Sequence, residues 1–217
     1  MKLLELKNIT FSANNQRIID DISLDVEHGD FISIVGPSGS GKSTLLKIIA
    51  DLLPPDRGEL RFRGKPYTDY PPTGLRQQIM MCFQTPYLFG ETVVENLDFP
   101  FQVRHEKPDR AKMIRLLKDF QLDESFLEKD VTTLSGGEKQ RIALIRSLMF
   151  DPDILLLDEV TASLDVENTE IVEQAMRDRH EQGTTILMIT HNPAQSRRNA
   201  NRLIEITDGR ISREEAL

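Results

Sequence analysis

A single cysteine, Cys82, excludes an internal disulfide. It stands among Met80, Met81 and Phe83, a setting that reads as buried strand packing rather than thiol chemistry. Basic residues are also short: 27 Lys and Arg against 35 Asp and Glu leave a formal net charge of −8. Nucleic-acid backbones and anionic lipids both demand basic surface, so neither nucleic acid nor direct lipid insertion is expected. No apolar run approaches the ~20 residues needed to cross a bilayer. The opening residues 1–7 carry charge every few positions, which excludes a signal peptide and points to the cytosol. Any work at a membrane would then need another protein to hold the chain there. Four histidines and one cysteine form no transition-metal pattern. Internal repeats and low-complexity tracts are absent as well.

What is present is strand–helix alternation. The chain is long enough for one α/β domain with a smaller appendage. Leu3 to Thr10 reads as a strand, Arg17 to Val26 as one or two more, and Phe31 to Val35 as a buried one. Pro54 to Gly58 is a breaker before a strand over Glu59 to Arg63; the proline-bearing stretch Lys65 to Thr73 reads as loop, and Ile79 to Phe83 as strand. From Thr85 to Phe150 the texture becomes helical, with one amphipathic helix over Asp109 to Phe120 and another over Ser135 to Met149. Strand character returns at Ile154 to Leu157. A helix over Val166 to Glu181, a strand over Thr184 to Ile189, a helix over Pro193 to Asn199 and a last core strand over Arg202 to Ile206 follow. Such alternation implies right-handed crossovers and a parallel sheet.

Between the buried strand and the next helix lies Gly36-Pro37-Ser38-Gly39-Ser40-Gly41-Lys42-Ser43-Thr44. It satisfies G-x-x-x-x-G-K-[ST] in the strand–loop–helix setting that motif requires. Glycines let successive N–H groups turn inward toward phosphate oxygens, and the helix adds the positive end of its dipole. Lys42 can reach the β- and γ-phosphates, and the Ser43 hydroxyl can ligate Mg²⁺. A bound nucleoside triphosphate is therefore expected.

Downstream, Ile154-Leu155-Leu156-Leu157 ends in Asp158-Glu159. Ligands of α/β sheets sit at the carboxyl ends of strands, so these acids should emerge beside the phosphate loop. Asp158 then suits the metal and Glu159 suits activation of a water. Without the phosphate loop, the same pair would read equally well as a strand ending in solvent.

Leu134-Ser135-Gly136-Gly137-Glu138 is a second anion-binding helix start. The first loop already accounts for one phosphate site. With this element the chain resembles the ATP-binding subunits of the ABC transporter family, and the resemblance runs through essentially its whole length. The resemblance implies an α/β P-loop NTPase core with a mixed, mainly parallel sheet, an N-terminal antiparallel β subdomain and an inserted α-helical subdomain. It implies one domain over 1–217, with 1–84 and 151–217 forming the core and 85–150 the insert. It also implies an ATPase working as a homodimer, with ATP sandwiched between a phosphate loop and the partner's Ser135, Gly136, Gly137 and Glu138. Phe11 matches the aromatic position that stacks on adenine, although read alone it is equally a core residue. Gln84 matches the glutamine that senses Mg²⁺ and γ-phosphate, Asp165 in Ser163-Leu164-Asp165 the dimer-contact loop, and His191 the switch histidine. Catalysis would then rest on Glu159, His191 and Lys42, and the metal on Ser43, Gln84 and Asp158. Phe11 stands where tyrosine is more usual, Val160 where proline is frequent, and Asn192 where aspartate is common; none removes a catalytic group.

Tyr87, Leu88 and Phe89 crowd an expected surface loop with large apolar side chains, and a membrane permease is expected to dock there, holding the chain at the inner face of the cell membrane; the alternative is that the three simply pack the insert onto the core. The wording Leu88-Phe89-Gly90-Glu91-Thr92-Val93 is similar to a bacterial subgroup of iron-export ATP-binding proteins. The competing expectations are an importer ATPase for phosphate or amino acids and a non-transport regulatory ATPase. The short stretch after Gly209 suggests no appended regulatory domain.

Overall fold

A computed structural model describes residues 2–217, so Met1, the first residue of the expected core segment, lies outside it. Two sheets organise the chain. The first is antiparallel, built from β1 (Lys2–Ala13), β2 (Gln16–Glu27), β4 (Arg57–Phe62) and the two-residue β5 (Lys65–Pro66) in the order β2-β1-β4-β5. The second has the order β10-β9-β3-β8-β7-β6. Its strands are β3 (Phe31–Val35), β6 (Ile79–Cys82), β7 (Ile154–Asp158), β8 (Thr185–Ile189), β9 (Arg202–Thr207) and β10 (Arg210–Ala216). The pairs β3–β8, β3–β9, β6–β7 and β7–β8 are parallel, and β10 closes one edge antiparallel to β9. The mixed, mainly parallel sheet and the antiparallel β part are thus both present.

Burial explains the aliphatic runs. Every residue of β7 is buried, and successive side chains of a strand face opposite sides of the sheet. Ile154 and Leu156 join a cluster with Leu45, Leu46 and Ile49 of α1 (Lys42–Ile49) and with the antiparallel sheet. Leu155 and Leu157 join a second cluster on the other face. There they meet α4 (Arg110–Asp119), α5 (Gly136–Ser147) and α6 (Val166–Glu181). Each fully buried leucine contributes about 1.5–3 kcal/mol. The helices of 85–150, including α3 (Val93–Val103), therefore share one apolar cluster with the sheet.

Two elements differ from the sequence reading, and a third takes one of its two stated alternatives. Lys65 to Thr73 is more than a loop: it contains β5, a single 3₁₀ turn at Tyr67–Asp69 and the start of α2 (Pro72–Gln78), whose first helical position takes a proline without losing a hydrogen bond. Arg17 to Val26 belongs to one strand. The strand at 202–207 is not the last, because β10 follows it; α7 (Pro193–Arg198) precedes them both.

Candidate active site

The site begins where β3 delivers the chain into α1. The N-cap of that helix is Gly41 (φ 101°), no side chain caps it, and its first turn holds no acid. Its leading N–H groups are left for an external anion. Gly36 has φ 139°, and a Cβ there would lie 2.1 Å from the Ile206 carbonyl oxygen, so only glycine lets the loop press against β9. The Ser40 hydroxyl is buried with no partner. Lys42 is 5% exposed, and its ammonium donates to the carbonyls of Gly36 (2.9 Å) and Pro37 (2.7 Å). Burial lowers its pKa, against the opposing pull of the Glu159 and Asp158 carboxylates.

Strand pairing brings the acids here. Asp158 pairs with Ile189 across β7 and β8, and the Glu159 N–H donates to the Ile189 carbonyl at 3.2 Å. Glu159 takes φ 51°, a left-handed conformation uncommon outside glycine and found at sites where geometry is over-determined. Its Oε1 accepts from His191 Nε2 at 2.8 Å and its Oε2 from Gln84 Nε2 at 3.2 Å. Beside them Ser43 Oγ donates to Asp158 Oδ1 at 2.8 Å. Burial raises the Asp158 pKa; the Ser43 hydrogen bond opposes this, and the Glu159 charge adds to it. Ser43, Asp158 and Gln84 offer only oxygen donors to an ion, which fits hard Mg²⁺. The cleft of about 310 Å³ is lined by Ile18, Ser38, Gly39, Gly41, Lys42, Ser43, Thr44, Glu159 and His191. Ile18 of β2 is a wall residue that the sequence reading missed. Strand alternation was its only signal.

The remaining expected site residues lie elsewhere. Phe11 is half-buried on β1, opposite Ile19, packs against the first core cluster and is not among the cleft-lining residues. Ser135 caps α5 through a capping box: its Oγ accepts from the Glu138 N–H (3.2 Å), and Glu138 Oε2 accepts from the Ser135 N–H (2.7 Å). The Ser135 hydroxyl proton remains free to donate outward. Gly136 is exposed, and a Cβ built there meets no atom within 4 Å. None of Ser135 to Glu138 lines the cleft. Asp165 caps α6, accepting from the Asn168 N–H at 2.8 Å, and that bond holds its carboxyl below its ordinary pKa.

The apolar loop does not face outward as a whole, contrary to the sequence expectation. Tyr87 is 73% exposed, but Leu88 and Phe89 are half-buried. Leu88 packs on the second cluster, and the Phe89 ring meets Phe99 edge-on at 5.0 Å. A groove of about 410 Å³ opens beside Tyr87, lined by Met80, Phe83, Pro86, Phe99 and Val103 with Arg76, Arg104 and Arg146 among its other residues. Leu88 and Phe89 are not part of it.

The ABC transporter family model matches residues 19–162. A curated relative, the probable iron export ATP-binding protein FetA of Escherichia coli (strain K12), is 46% identical over 191 residues, 88% of this chain and 85% of its own length. The probable anion import ATP-binding protein of Haloferax volcanii is 36% identical across 95% of this chain and 77% of its own. Among solved structures, the dimeric post-hydrolysis state of the ATP-binding cassette MJ0796 bound to ADP and Pi superposes with TM-score 0.90 and 32% identity, covering 99% of both chains.

Proposed function

We propose a function from one premise: this chain belongs to the ABC transporter family and is an ATP-hydrolysing subunit of it. In this reading two copies face each other head to tail and enclose two ATP molecules. One observation carries it. The cleft gathers Lys42, Ser43, Glu159 and His191, yet the Ser135–Glu138 corner stays outside it with Gly136 open to solvent. A second copy supplies what the cleft lacks.

Residues 36–44 bind the phosphates, and the base reaches Phe11 past the cleft wall, since Phe11 is paired with Ile19, the neighbour of cleft-lining Ile18. Lys42 releases the loop carbonyls and turns to the triphosphate, a stronger partner for a buried ammonium. Ser43 and Asp158, with Gln84, would hold Mg²⁺, which when bound neutralises charge on the phosphate oxygens. Glu159 orients a water and accepts its proton as the water oxygen bonds to the γ-phosphorus and the bond to the β-phosphate oxygen breaks, leaving ADP and phosphate. His191 holds the Glu159 carboxylate in place and donates toward the transferring group. Ser135 and the Gly136 and Gly137 N–H groups complete the partner's site, and Asp165 lies at the contact between copies.

The groove beside Tyr87 receives a separate multi-spanning permease. Export of a metal such as iron is favoured by the 46% identity to FetA; the 36% identity to an anion importer keeps the importer as the rival. The core test is Glu159→Gln in saturating MgATP. The variant should bind nucleotide, stop turning over and run as a dimer on gel filtration. Wild-type turnover removes Glu159 from its role, and a strictly monomeric variant removes the two-copy site. Vesicles carrying the subunit and its permease should then show ATP-driven iron movement; uptake of phosphate instead would favour import.

A further inference from the structure

Behind the contact between Glu159 and His191 lies a polar link that none of the expected site residues forms. Gln195 of α7 is 3% exposed, an uncommon depth for an amide side chain. Its Nε2 donates to Thr161 Oγ1 at 2.9 Å, and its Oε1 accepts from the Thr190 hydroxyl. Thr161 lies two residues after Glu159, and Thr190 directly precedes His191. Thr190 Oγ1 also accepts from the Asn192 N–H at 3.1 Å, while Asn192 Oδ1 caps α7 through the Ala194 and Gln195 N–H groups. The chain therefore closes a ring: Glu159 to Thr161, Thr161 to Gln195, Gln195 to Thr190, and His191 back to Glu159.

A buried amide with both ends satisfied fixes the segments it joins, because losing one end leaves a desolvated polar group. We infer that Gln195 is a positioning residue for hydrolysis, holding His191 against Glu159 and tying both to the loop that leads to Asp165. This inference rests on the proposed roles of Glu159 and His191. It adds that approach of the second copy at Ser163–Asp165 is felt at His191 of the same subunit through one side chain. Gln195 touches neither nucleotide nor water.

The test compares Gln195→Leu, Thr161→Val and their combination with Thr161→Ser, in the full-length subunit, by steady-state ATPase kinetics. The first two remove the link and should lower kcat about tenfold with KM for ATP within about twofold. Thr161→Ser keeps the hydroxyl and should restore turnover. The combined variant should be no slower than either single one, since both break the same link. Wild-type kcat in either removal variant overturns the inference, as do losses that multiply or a KM that rises in step. If Gln195→Leu does not fold, the Thr161→Val and Thr161→Ser pair decides alone. Glu159→Gln serves as the control: if that variant turns over, the proposed site fails, whereas a stalled control beside an unimpaired Gln195→Leu sinks only the link.

Discussion

His191 and Glu159, 32 residues apart in the chain, meet at 2.8 Å because parallel strands β7 and β8 place their carboxyl ends side by side. The contact, with the Gln84 amide at 3.2 Å on the other oxygen, orients the carboxylate. His191→Ala should therefore slow turnover by roughly 100-fold while leaving ATP affinity near its original value. Measuring kcat and the nucleotide Kd together checks this; a loss confined to Kd would contradict it.

Two glycines should respond in opposite ways to the same added methyl. Gly36→Ala forces a Cβ to 2.1 Å from a backbone carbonyl at a φ of 139°, so the fold should lose at least about 2 kcal/mol. Gly136→Ala adds a methyl to open space at the start of a helix and should leave stability unchanged or higher by up to about 1 kcal/mol. It should nonetheless reduce ATPase activity and MgATP-dependent dimer formation, because in the proposed two-copy site that space receives the second copy's nucleotide. Thermal melts and gel filtration of the two variants separate the cases.

Asp158 makes a prediction about pH. Its folded pKa is raised by burial, so between the ordinary carboxylate value and that raised value the native state binds more protons than the unfolded one. Stability then falls as pH rises through this window, and the full penalty persists above it. Asp158→Asn, which still accepts the Ser43 hydrogen bond, should flatten that slope and raise the nucleotide-free Tm at neutral pH by roughly 2–4 °C, the equivalent of about 1 kcal/mol. The same variant should lose Mg²⁺-dependent stabilisation by ATP. A Tm that drops would show that the carboxylate is favourably paired in the free protein.

The residues of the apolar loop should divide by burial. Phe89→Ser removes a ring packed on Phe99 and should cost about 2–4 kcal/mol by denaturant unfolding. Tyr87→Glu should change stability by less than about 0.5 kcal/mol and abolish capture by the permease. Equal destabilisation by the two would mean that the groove is simply part of the packed core.

Which of these features could be read from residues alone follows from how local their causes are. The phosphate loop announces itself through glycine spacing between an apolar strand and a helix, and β7 through four aliphatics ending in acids. By contrast, β10 reads as charged surface: Arg210, Arg213, Glu214 and Glu215 dominate it, and its order comes from pairing with β9 and from the Arg197–Glu215 ion pair. Charged edge strands of this kind protect a sheet from further pairing, and that purpose hides them from hydrophobic patterning. Short α2 hides behind its prolines. Leu88 and Phe89 look like Tyr87 in composition, and only the fold decides which of the three faces outward. Gln195 carries no local signal, because one of its partners, Thr161, lies 34 residues away, and nothing in the sequence shows that its amide is buried.

One short segment has a wider consequence. Phe83 forms part of the groove wall, its carbonyl lies 3.5 Å from the Gln140 amide of α5, and the next residue, Gln84, bonds to Glu159. One residue, Gln84, thus links the groove wall, the face proposed for the permease, to the carboxylate at the heart of the cleft. In the proposed reading, occupancy of the groove and the posture of the Glu159 carboxylate are two readings of one gauge.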